Sequence, residues 1–234
     1  PLKGRVPGLT IDDSYHISRA MLDLRLADGE KVVGKKIGVT SPAVQNMLGV
    51  HQPDFGWLTD AMVYSGQMPI SQLLIQPKAE GEIAFTLKDS LVGPGITEAD
   101  VLAATATVHP CFEVVDSRIA DWKIGIEDTV ADNASSGLYV IGDGVDPAGV
   151  DFEGCTMVVH KNGQLLSEGH GRAALGSPLT CVAWLANTMA KFGISLWAGE
   201  TILSGSLVPL ESVQAGDHMH VSIEGIGSTE VQFT

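Results

Sequence analysis

Two glutamates stand one residue apart in an otherwise apolar segment: Glu80 and Glu82 lie in KAEGEIAFTL, residues 78–87. Successive side chains of a β-strand point to opposite faces, so this spacing puts both carboxylates on one face with Cα atoms roughly 7 Å apart. At that distance they repel each other by about 2 kcal/mol if the effective dielectric constant is about 20, and burial increases the cost. A bound divalent cation would remove this repulsion. The pair therefore predicts a metal site, and the alternative is a solvated, inert face of an edge strand.

A third carboxylate, Glu113, lies inside the hydrophobic segment PCFEVV, residues 110–115. A buried carboxylate without a partner costs several kcal/mol or takes up a proton, so it normally has a cationic neighbour. That neighbour is either the same metal ion or, in a purely structural alternative, the side chain of Arg118 or Lys78. A set of oxygen ligands favours Mg²⁺ or Mn²⁺ over Zn²⁺.

Two further polar residues lie where a pocket could form. Lys36 and Gly38 share one face of the strand-like segment at 32–40. A lysine beside a glycine can line a pocket, although a lysine whose ammonium group reaches solvent is the commoner outcome. Asp54 lies in the PDFG sequence at 53–56 and would ordinarily be a turn residue. The segment 130–137, a polar cluster between apolar segments, is either an Asx-type turn or the lining of a site for a polar ligand.

Composition excludes several classes of partner. The 234 residues include 14 Lys and Arg against 28 Asp and Glu, a net charge of −14, and no basic stripe is visible. We therefore expect no nucleic-acid partner. No apolar stretch reaches about 18 residues, so no membrane span is expected. Three cysteines without C-x-x-C spacing favour reduced thiols and a cytoplasmic protein. Because the chain starts at Pro1 without a methionine, we expect additional N-terminal residues in the natural protein.

Many short strand-like segments alternate with a few helical ones, which predicts an α+β or mostly-β domain. In the segment 79–87, the residues that alternate with the two glutamates are predicted to face the core. Helices are predicted at about 10–27, 41–48, 97–108 and 177–193, and strands at 32–40, 68–75, 79–87, 111–115, 158–160 and 164–167, with further strands after 201. No change of composition marks a linker.

Six motifs stand in the order found in one protein family: GKKIGVTS at 34–41, QPDFG at 52–56, EGE at 80–82, FEVVDSR at 112–118, DTVADNAS at 128–135 and IEGIGS at 223–228. On these motifs the chain resembles the 2-hydroxypenta-2,4-dienoate (2-oxopent-4-enoate) hydratases and the related 4-oxalocrotonate decarboxylases of the fumarylacetoacetate hydrolase superfamily. The resemblance runs from about residue 10 to the C-terminus. It implies an α+β fold, a mixed β roll or sandwich with peripheral helices. In one continuous domain, residues 1–60 would form a helix-and-strand segment that packs on a catalytic core at 61–234.

The resemblance also implies a reaction: metal-dependent addition of water to 2-hydroxypenta-2,4-dienoate, giving 4-hydroxy-2-oxopentanoate, in the breakdown of aromatic compounds by meta cleavage. The segments 122–130 and 137–142 favour the hydratases. A decarboxylase is the alternative, but it should hold a second carboxylate with an extra cation. A metal-binding module without catalysis is a third possibility.

Family positions assign roles to residues of this chain. The metal ligands for Mg²⁺ or Mn²⁺ would be Glu80, Glu82 and Glu113; the proton-moving residues would be Lys36 and Asp54; the substrate contacts would be Arg118, Asp132, Asn133 and Ser135. A metal ion beside Lys36 would favour a lowered pKa of that lysine. The expected small-molecule substrate is a 2-oxo or 2-hydroxy dienoic acid. The resemblance further implies a homo-oligomer built on pentameric rings, with a pathway enzyme as a further candidate partner.

Overall fold

Two mixed β-sheets form the framework of the protein, and helices lie around them. The computed structural model describes residues 1–2 and 4–234, except for the side chains at positions 43 and 47. The helices of this part of the chain are α1 (Ile11–Ala27), α2 (Pro42–Leu48), α3 (Ile70–Leu73), α4 (Glu98–Ala104), α5 (Ile126–Ala131) and α6 (Pro178–Ala190). The strands are β1 (Val32–Gly38), β2 (Asp54–Thr59), β3 (Val63–Tyr64), β4 (Gly66–Met68), β5 (Lys78–Leu87), β6 (Thr105–Val115), β7 (Ser136–Ile141), β8 (Thr156–Lys161), β9 (Gln164–His170), β10 (Thr201–Ser206), β11 (Glu211–Ser212), β12 (His218–Ile223) and β13 (Gly227–Phe233).

The larger sheet has the strand order β2-β1-β10-β5-β6-β7-β3, with β11 paired to one end of β5. The smaller sheet has the order β4-β13-β12-β8-β9. Most neighbours are antiparallel. The parallel pairs are β1 with β10 and β3 with β7 in the larger sheet, and β4 with β13 in the smaller one. The predicted α+β class with mixed sheets and peripheral helices is confirmed.

The ends of the longer helices follow local sequence signals. In α1, the Thr10 hydroxyl accepts a hydrogen bond from the Asp13 backbone N–H at 3.1 Å, and the Asp13 carboxylate accepts one from the Thr10 N–H at 3.0 Å. This reciprocal capping box satisfies two N–H groups that the helix itself cannot pair. In α6, the Ser177 hydroxyl accepts from the Leu179 N–H at 3.2 Å, and Pro178 occupies the first helical position. Both predicted helix starts are confirmed.

Two predicted elements are wrong. Residues 68–75 were expected to form a strand, but β4 ends at Met68 and the chain then forms the short helix α3. The helix expected to run to about residue 108 ends at Ala104, and β6 begins at Thr105. The reason is tertiary: Thr105, Thr107 and Val108 pair with the end of β5, and this pairing overrides the helical pattern.

Strand β5 lies inside the larger sheet, between β10 and β6. Ala79, Ile83, Phe85 and Leu87 on one of its faces are each at most 2% exposed, as the alternation predicts. The two glutamates on the other face therefore do not belong to an edge strand, and that alternative is wrong.

The N-terminal third of the chain contributes directly to the larger sheet. Strands β1 and β2 pair with each other, and β1 also pairs with β10. The predicted division at residue 60 stays a prediction. Among the described residues, no helix combines the length and the apolar character needed to cross a membrane.

Candidate active site

Three carboxylates meet at the centre of the larger sheet. Antiparallel pairing of β5 with β6 puts Glu80 opposite Glu113, and Glu82 is two residues further along the same face. One carboxylate oxygen from each of the three lies within 4.8 Å of the others. Glu82 is 0% exposed and Glu113 is 1% exposed. The structure thus brings together the three residues that the sequence predicts as metal ligands.

This arrangement is electrostatically unfavourable by itself. Burial, reinforced by the Glu113 carboxylate, raises the pKa of Glu80 to about 7. Burial and the Glu113 and Glu80 carboxylates also raise the pKa of Glu82 well above its usual range. Either protons or a cation must therefore neutralise the cluster at neutral pH.

The cluster fits a divalent cation. Glu82 Oε1 and both carboxylate oxygens of Glu113 are buried without a hydrogen-bond partner among the described residues. Glu82 Oε2, in contrast, accepts a hydrogen bond from the Gly205 backbone N–H at 2.9 Å, which fixes the orientation of this carboxylate. Buried polar atoms without partners are rare in native proteins, and carboxylate oxygens are the ligands preferred by hard dications. The three carboxylates, with oxygens that lack hydrogen-bond partners, therefore match a hard divalent cation.

Lys36 is the cationic neighbour of Glu113. Its Nζ lies 3.1 Å from Glu113 Oε1, and both side chains are almost fully buried. The contact is an ion pair and not a hydrogen bond, because its angles are unfavourable for one. The partners expected in the structural alternative are wrong: Arg118 pairs with Asp132, and the Lys78 ammonium lies 4.8 Å from the centre of an indole ring.

The charge state of Lys36 follows from its surroundings. Burial lowers its pKa, but the carboxylates of Glu113 and Asp54, with Glu80 and Glu82 behind them, outweigh burial and raise the pKa above its usual range. Lys36 is therefore an ammonium group in this structure. The lowered pKa expected beside a bound metal ion stays a prediction.

Asp54 reaches the same site from β2. In the antiparallel pair of β1 with β2, Lys36 lies opposite Gly56 and Asp54 lies opposite Gly38. A Cβ atom added to Gly38 would overlap Asp54 Oδ1 and would lie 3.4 Å from Lys36 Nζ. The Asp54 carboxylate thus uses the space left by a glycine on the neighbouring strand. Burial raises the pKa of Asp54 to about 6, although the Lys36 ammonium acts in the opposite direction.

The four predicted substrate contacts all have partners within the protein. Arg118 is paired with Asp132 and also donates its backbone N–H to that carboxylate at 3.1 Å. The Asn133 side chain accepts from the Trp57 N–H at 2.8 Å and donates to the Trp57 carbonyl at 2.9 Å. The fourth, Ser135, has its Oγ 2.9 Å from the hydroxyl of a threonine in α5. Contact of these four residues with a substrate stays a prediction.

Sequence reasoning missed two groups at the site. Thr129 in α5 is the threonine that contacts Ser135, and its hydroxyl also points to Asp54 Oδ2 at 3.5 Å. The motif at 128–135 contains Thr129 but gave no reason to choose it. The second group is the Gly205 N–H on Glu82; a backbone donor in a distant strand leaves no signal in the sequence.

The fold and the site define a protein with a cluster of three carboxylates, able to hold a cation, beside a lysine and an aspartate. Residues 42–234 match the sequence profile of the family described as Fumarylacetoacetate (FAA) hydrolase C-terminal. The match covers well over half of the chain, and the chain belongs to this family. The family predicted from the six motifs is confirmed.

Individual relatives narrow the comparison. The chain is 70% identical over 198 residues to a 2-hydroxypent-2,4-dienoate hydratase of Pseudomonas putida, covering 83% of this chain and 89% of the relative. It is 58% identical over 238 residues to a 2-hydroxyhexa-2,4-dienoate hydratase of Comamonas testosteroni, covering 100% and 90%. Among solved structures, it is similar to 4-oxalocrotonate decarboxylase from Pseudomonas putida G7 complexed with magnesium and adipate, with a TM-score of 0.95, 36% identity and coverage of 100% and 89%.

Proposed function

We propose that this chain is a divalent-metal-dependent hydratase that adds water to 2-hydroxypenta-2,4-dienoate and releases 4-hydroxy-2-oxopentanoate. The observation that carries the proposal is the meeting of three carboxylates, two of them buried, with Lys36 and Asp54 at one point of the larger sheet. Hydratases of closely similar substrates at 58% and 70% identity support it.

Glu80, Glu82 and Glu113 would hold the cation, and we propose Mg²⁺ or Mn²⁺. The magnesium in the structure of the similar decarboxylase supports this choice. When bound, such an ion supplies Lewis-acid stabilisation for the negative charge that develops on a 2-oxo acid. The three carboxylates contribute the compensating charge, and the Gly205 N–H keeps Glu82 in position.

Lys36 and Asp54 are the proposed proton-moving residues. The substrate loses a proton from its 2-hydroxyl group and gains one at C5, which gives 2-oxopent-3-enoate; water then adds at C4 and a proton is delivered to C3. Asp54, whose pKa is raised to about 6, can both accept and release a proton near neutral pH. The Lys36 ammonium is buried beside it and can stabilise an enolate oxygen or donate a proton to carbon.

The charges around the site favour hydration over decarboxylation. The decarboxylase substrate carries a second carboxylate, which needs a cation at the far end of the site. Lys36 is already engaged with Glu113, and Arg118 is paired with Asp132. Both cations are therefore already paired with a carboxylate of the protein. The decarboxylase nevertheless remains the second candidate, because the fold of one such enzyme is closely similar.

A direct comparison of substrates tests the proposal. The protein loaded with Mg²⁺ or Mn²⁺ is supplied in parallel with 2-hydroxypenta-2,4-dienoate and with 4-oxalocrotonate, while loss of the dienoate absorbance and release of CO₂ are followed. We expect hydration of the first and no CO₂ from the second. Faster CO₂ release from 4-oxalocrotonate would make the protein a decarboxylase. Metal binding without turnover of either compound would favour the non-catalytic module.

We further propose a cytoplasmic location, a homo-oligomer built on pentameric rings and association with a pathway enzyme. These three proposals are supported by the family resemblance, and the low cysteine content agrees with the first. Sedimentation or light scattering of the purified protein would measure the oligomer.

A further inference from the structure

We infer that Thr129 is a positioning residue for Asp54: its hydroxyl anchors Asp54 Oδ2 and leaves Oδ1 as the oxygen that exchanges protons with the substrate. This inference rests on the proposed function, because it says how the carboxylate of Asp54 is oriented for that reaction. It goes further by distinguishing the two oxygens and by giving a role to a residue outside the predicted set.

The two oxygens of Asp54 have different surroundings. Thr129 Oγ1 donates to Oδ2 at 3.5 Å, the long limit of a hydrogen bond. Bonds at active sites are often long before a ligand is present and shorten when it binds. Oδ1 has no hydrogen-bond partner among the described residues. Asp54 is 1% exposed and Thr129 is 5% exposed, so bulk water does not replace the missing partner.

Oδ1, the oxygen without a hydrogen-bond partner among the described residues, is the one on the side of Lys36. Oδ1 lies beside Gly38: a Cβ atom added to this glycine would be 2.4 Å from Oδ1 and 3.4 Å from Lys36 Nζ. Lys36 in turn contacts Glu113 of the candidate metal site. Oδ1 therefore lies on the side of Gly38 and Lys36, while Oδ2 lies on the side of helix α5.

A second hydroxyl, that of Ser135, favours donation of the Thr129 proton to Asp54. Ser135 Oγ lies 2.9 Å from Thr129 Oγ1. A hydroxyl has one proton to donate, so when Thr129 donates to Asp54 it can accept from Ser135. The chain Ser135 to Thr129 to Asp54 then ends on the carboxylate, and each bond polarises the next.

The backbone that presents Ser135 is held in an uncommon conformation. Asn133, Ala134 and Ser135 have φ angles of 55°, 52° and 57°. Residues with a Cβ adopt this left-handed region only at an energetic cost, and such strain concentrates at functional sites. The Asn133 side chain bonds the N–H and the carbonyl of Trp57 on β2, the strand that begins with Asp54. The same turn therefore binds β2, the strand of Asp54, through Asn133 and positions the Ser135 hydroxyl next to Thr129.

Two substitutions of Thr129 test the inference in the metal-loaded enzyme. Thr129→Val keeps the shape of the side chain and removes the hydroxyl; Thr129→Ser keeps the hydroxyl and removes the methyl group. The measurements are kcat and KM for 2-hydroxypenta-2,4-dienoate, deuterium exchange at C3 of 2-oxopentanoate followed by NMR, Mn²⁺ affinity, and thermal stability. Thr105→Val is the matched control, because the Thr105 hydroxyl is also buried and donates to a backbone carbonyl at 2.7 Å in another region.

For Thr129→Val we expect kcat and the exchange rate to fall between about ten- and a hundredfold, since small misplacement of a reacting group has effects of this size. KM and the Mn²⁺ dissociation constant should stay within about twofold. Thr129→Ser should keep kcat within about threefold of the wild type, and the Thr105→Val control should leave it unchanged.

The inference is overturned if Thr129→Val keeps the wild-type kcat and exchange rate. It is also overturned if the Val and Ser variants are slowed equally, because packing would then explain both. A wild-type protein that hydrates no dienoate would remove the proposed function and this inference together. An active wild type with an unaffected Val variant would remove the role of Thr129 alone.

Discussion

Two neighbouring lysines of β1, Lys35 and Lys36, are both buried but lie on opposite faces of the larger sheet. Lys35 donates to both carboxylate oxygens of Glu200, and Glu200 Oε2 also accepts from the Trp197 N–H at 2.8 Å. Lys36 lies 3.1 Å from a Glu113 carboxylate whose oxygens have no hydrogen-bond partner among the described residues. Both carboxylate oxygens of the glutamate beside Lys35 thus accept hydrogen bonds, whereas neither oxygen of the glutamate beside Lys36 does so among the described residues.

The balance of charge differs in the same way. Burial lowers the pKa of Lys35, and the single carboxylate of Glu200 compensates only in part. Burial also acts to lower the pKa of Lys36, but several carboxylates reverse the shift and raise it. One cation matched to one anion, with both carboxylate oxygens accepting hydrogen bonds, is an arrangement that stabilises the fold. One cation among several carboxylates with free oxygens is an arrangement that is completed by a ligand.

The largest effect is expected from removing one carboxylate from the face of the sheet that carries Lys36. Glu113→Gln should weaken Mn²⁺ binding by more than about a hundredfold, since loss of groups that merely orient ligands already costs ten- to a hundredfold. Hydration activity should be lost with it, while the fold is kept because like-charge repulsion is reduced. Titration of Mn²⁺ by electron paramagnetic resonance measures the affinity.

Glu200→Gln is the matched control for this variant, since it removes a buried carboxylate beside the other lysine. It should leave the Mn²⁺ affinity unchanged. Normal Mn²⁺ binding by Glu113→Gln, or full wild-type activity in excess EDTA, would contradict the metal role of the cluster.

The next effect separates the two lysines directly. Lys36→Met should reduce kcat and proton exchange at C3 and C5 by about 10²- to 10⁴-fold, the usual contribution of a proton-transferring side chain, while Mn²⁺ still binds. Lys35→Met leaves Glu200 buried without its partner and should lower the free energy of unfolding by about 3 to 5 kcal/mol. The folded Lys35→Met enzyme should keep its kcat within a few-fold.

Chemical denaturation and steady-state kinetics on the same two proteins measure both quantities. If Lys35→Met lost activity as severely as Lys36→Met, the distinction between a structural and a catalytic lysine would fail. Unchanged exchange rates in Lys36→Met would remove Lys36 from the mechanism.

The part of the site that could be predicted is the part set by local geometry. Alternation along one strand places Glu80 and Glu82 on the same face, and the apolar neighbours of Glu113 predict a buried carboxylate. Lys36 and Asp54 were assigned from family motifs. Antiparallel pairing puts Asp54 opposite Gly38, and the missing side chain of this glycine leaves room for the carboxylate on the side of Lys36.

The remaining contacts depend on the order of strands, which has no local signal. Lys36 reaches Glu113 across β10 and β5, so the contact exists only after residues 201–206 insert beside β1. Thr129 meets Asp54 from a helix 75 residues further along the chain. The structural alternative named Arg118 and Lys78 as partners of Glu113, and both were wrong, because the cation that reaches Glu113 comes from β1, across two strands.

The smallest effect concerns the pH dependence of stability without metal. The pKa of Asp54 is raised to about 6 and that of Glu80 to about 7 in the folded state, and that of Glu82 is also raised. The folded protein therefore binds more protons than the unfolded chain between about pH 4 and pH 7. Stability should fall as the pH rises through this window. In EDTA, Tm should be higher at pH 5.5 than at pH 7.5 by on the order of 5 °C.

A saturating dication takes the place of these protons, so with excess Mg²⁺ the difference in Tm should shrink or reverse. Differential scanning calorimetry of the wild type and of Glu82→Gln, with and without Mg²⁺, measures both arms. The variant has one ionisable group fewer in the cluster and should show a smaller pH effect in EDTA. The lowered pKa values of Asp13, Asp100 and Asp217 act at more acidic pH and do not mask the effect. A metal-free wild type that became less stable on going from pH 7.5 to pH 5.5 would show that the cluster is already neutralised by other groups.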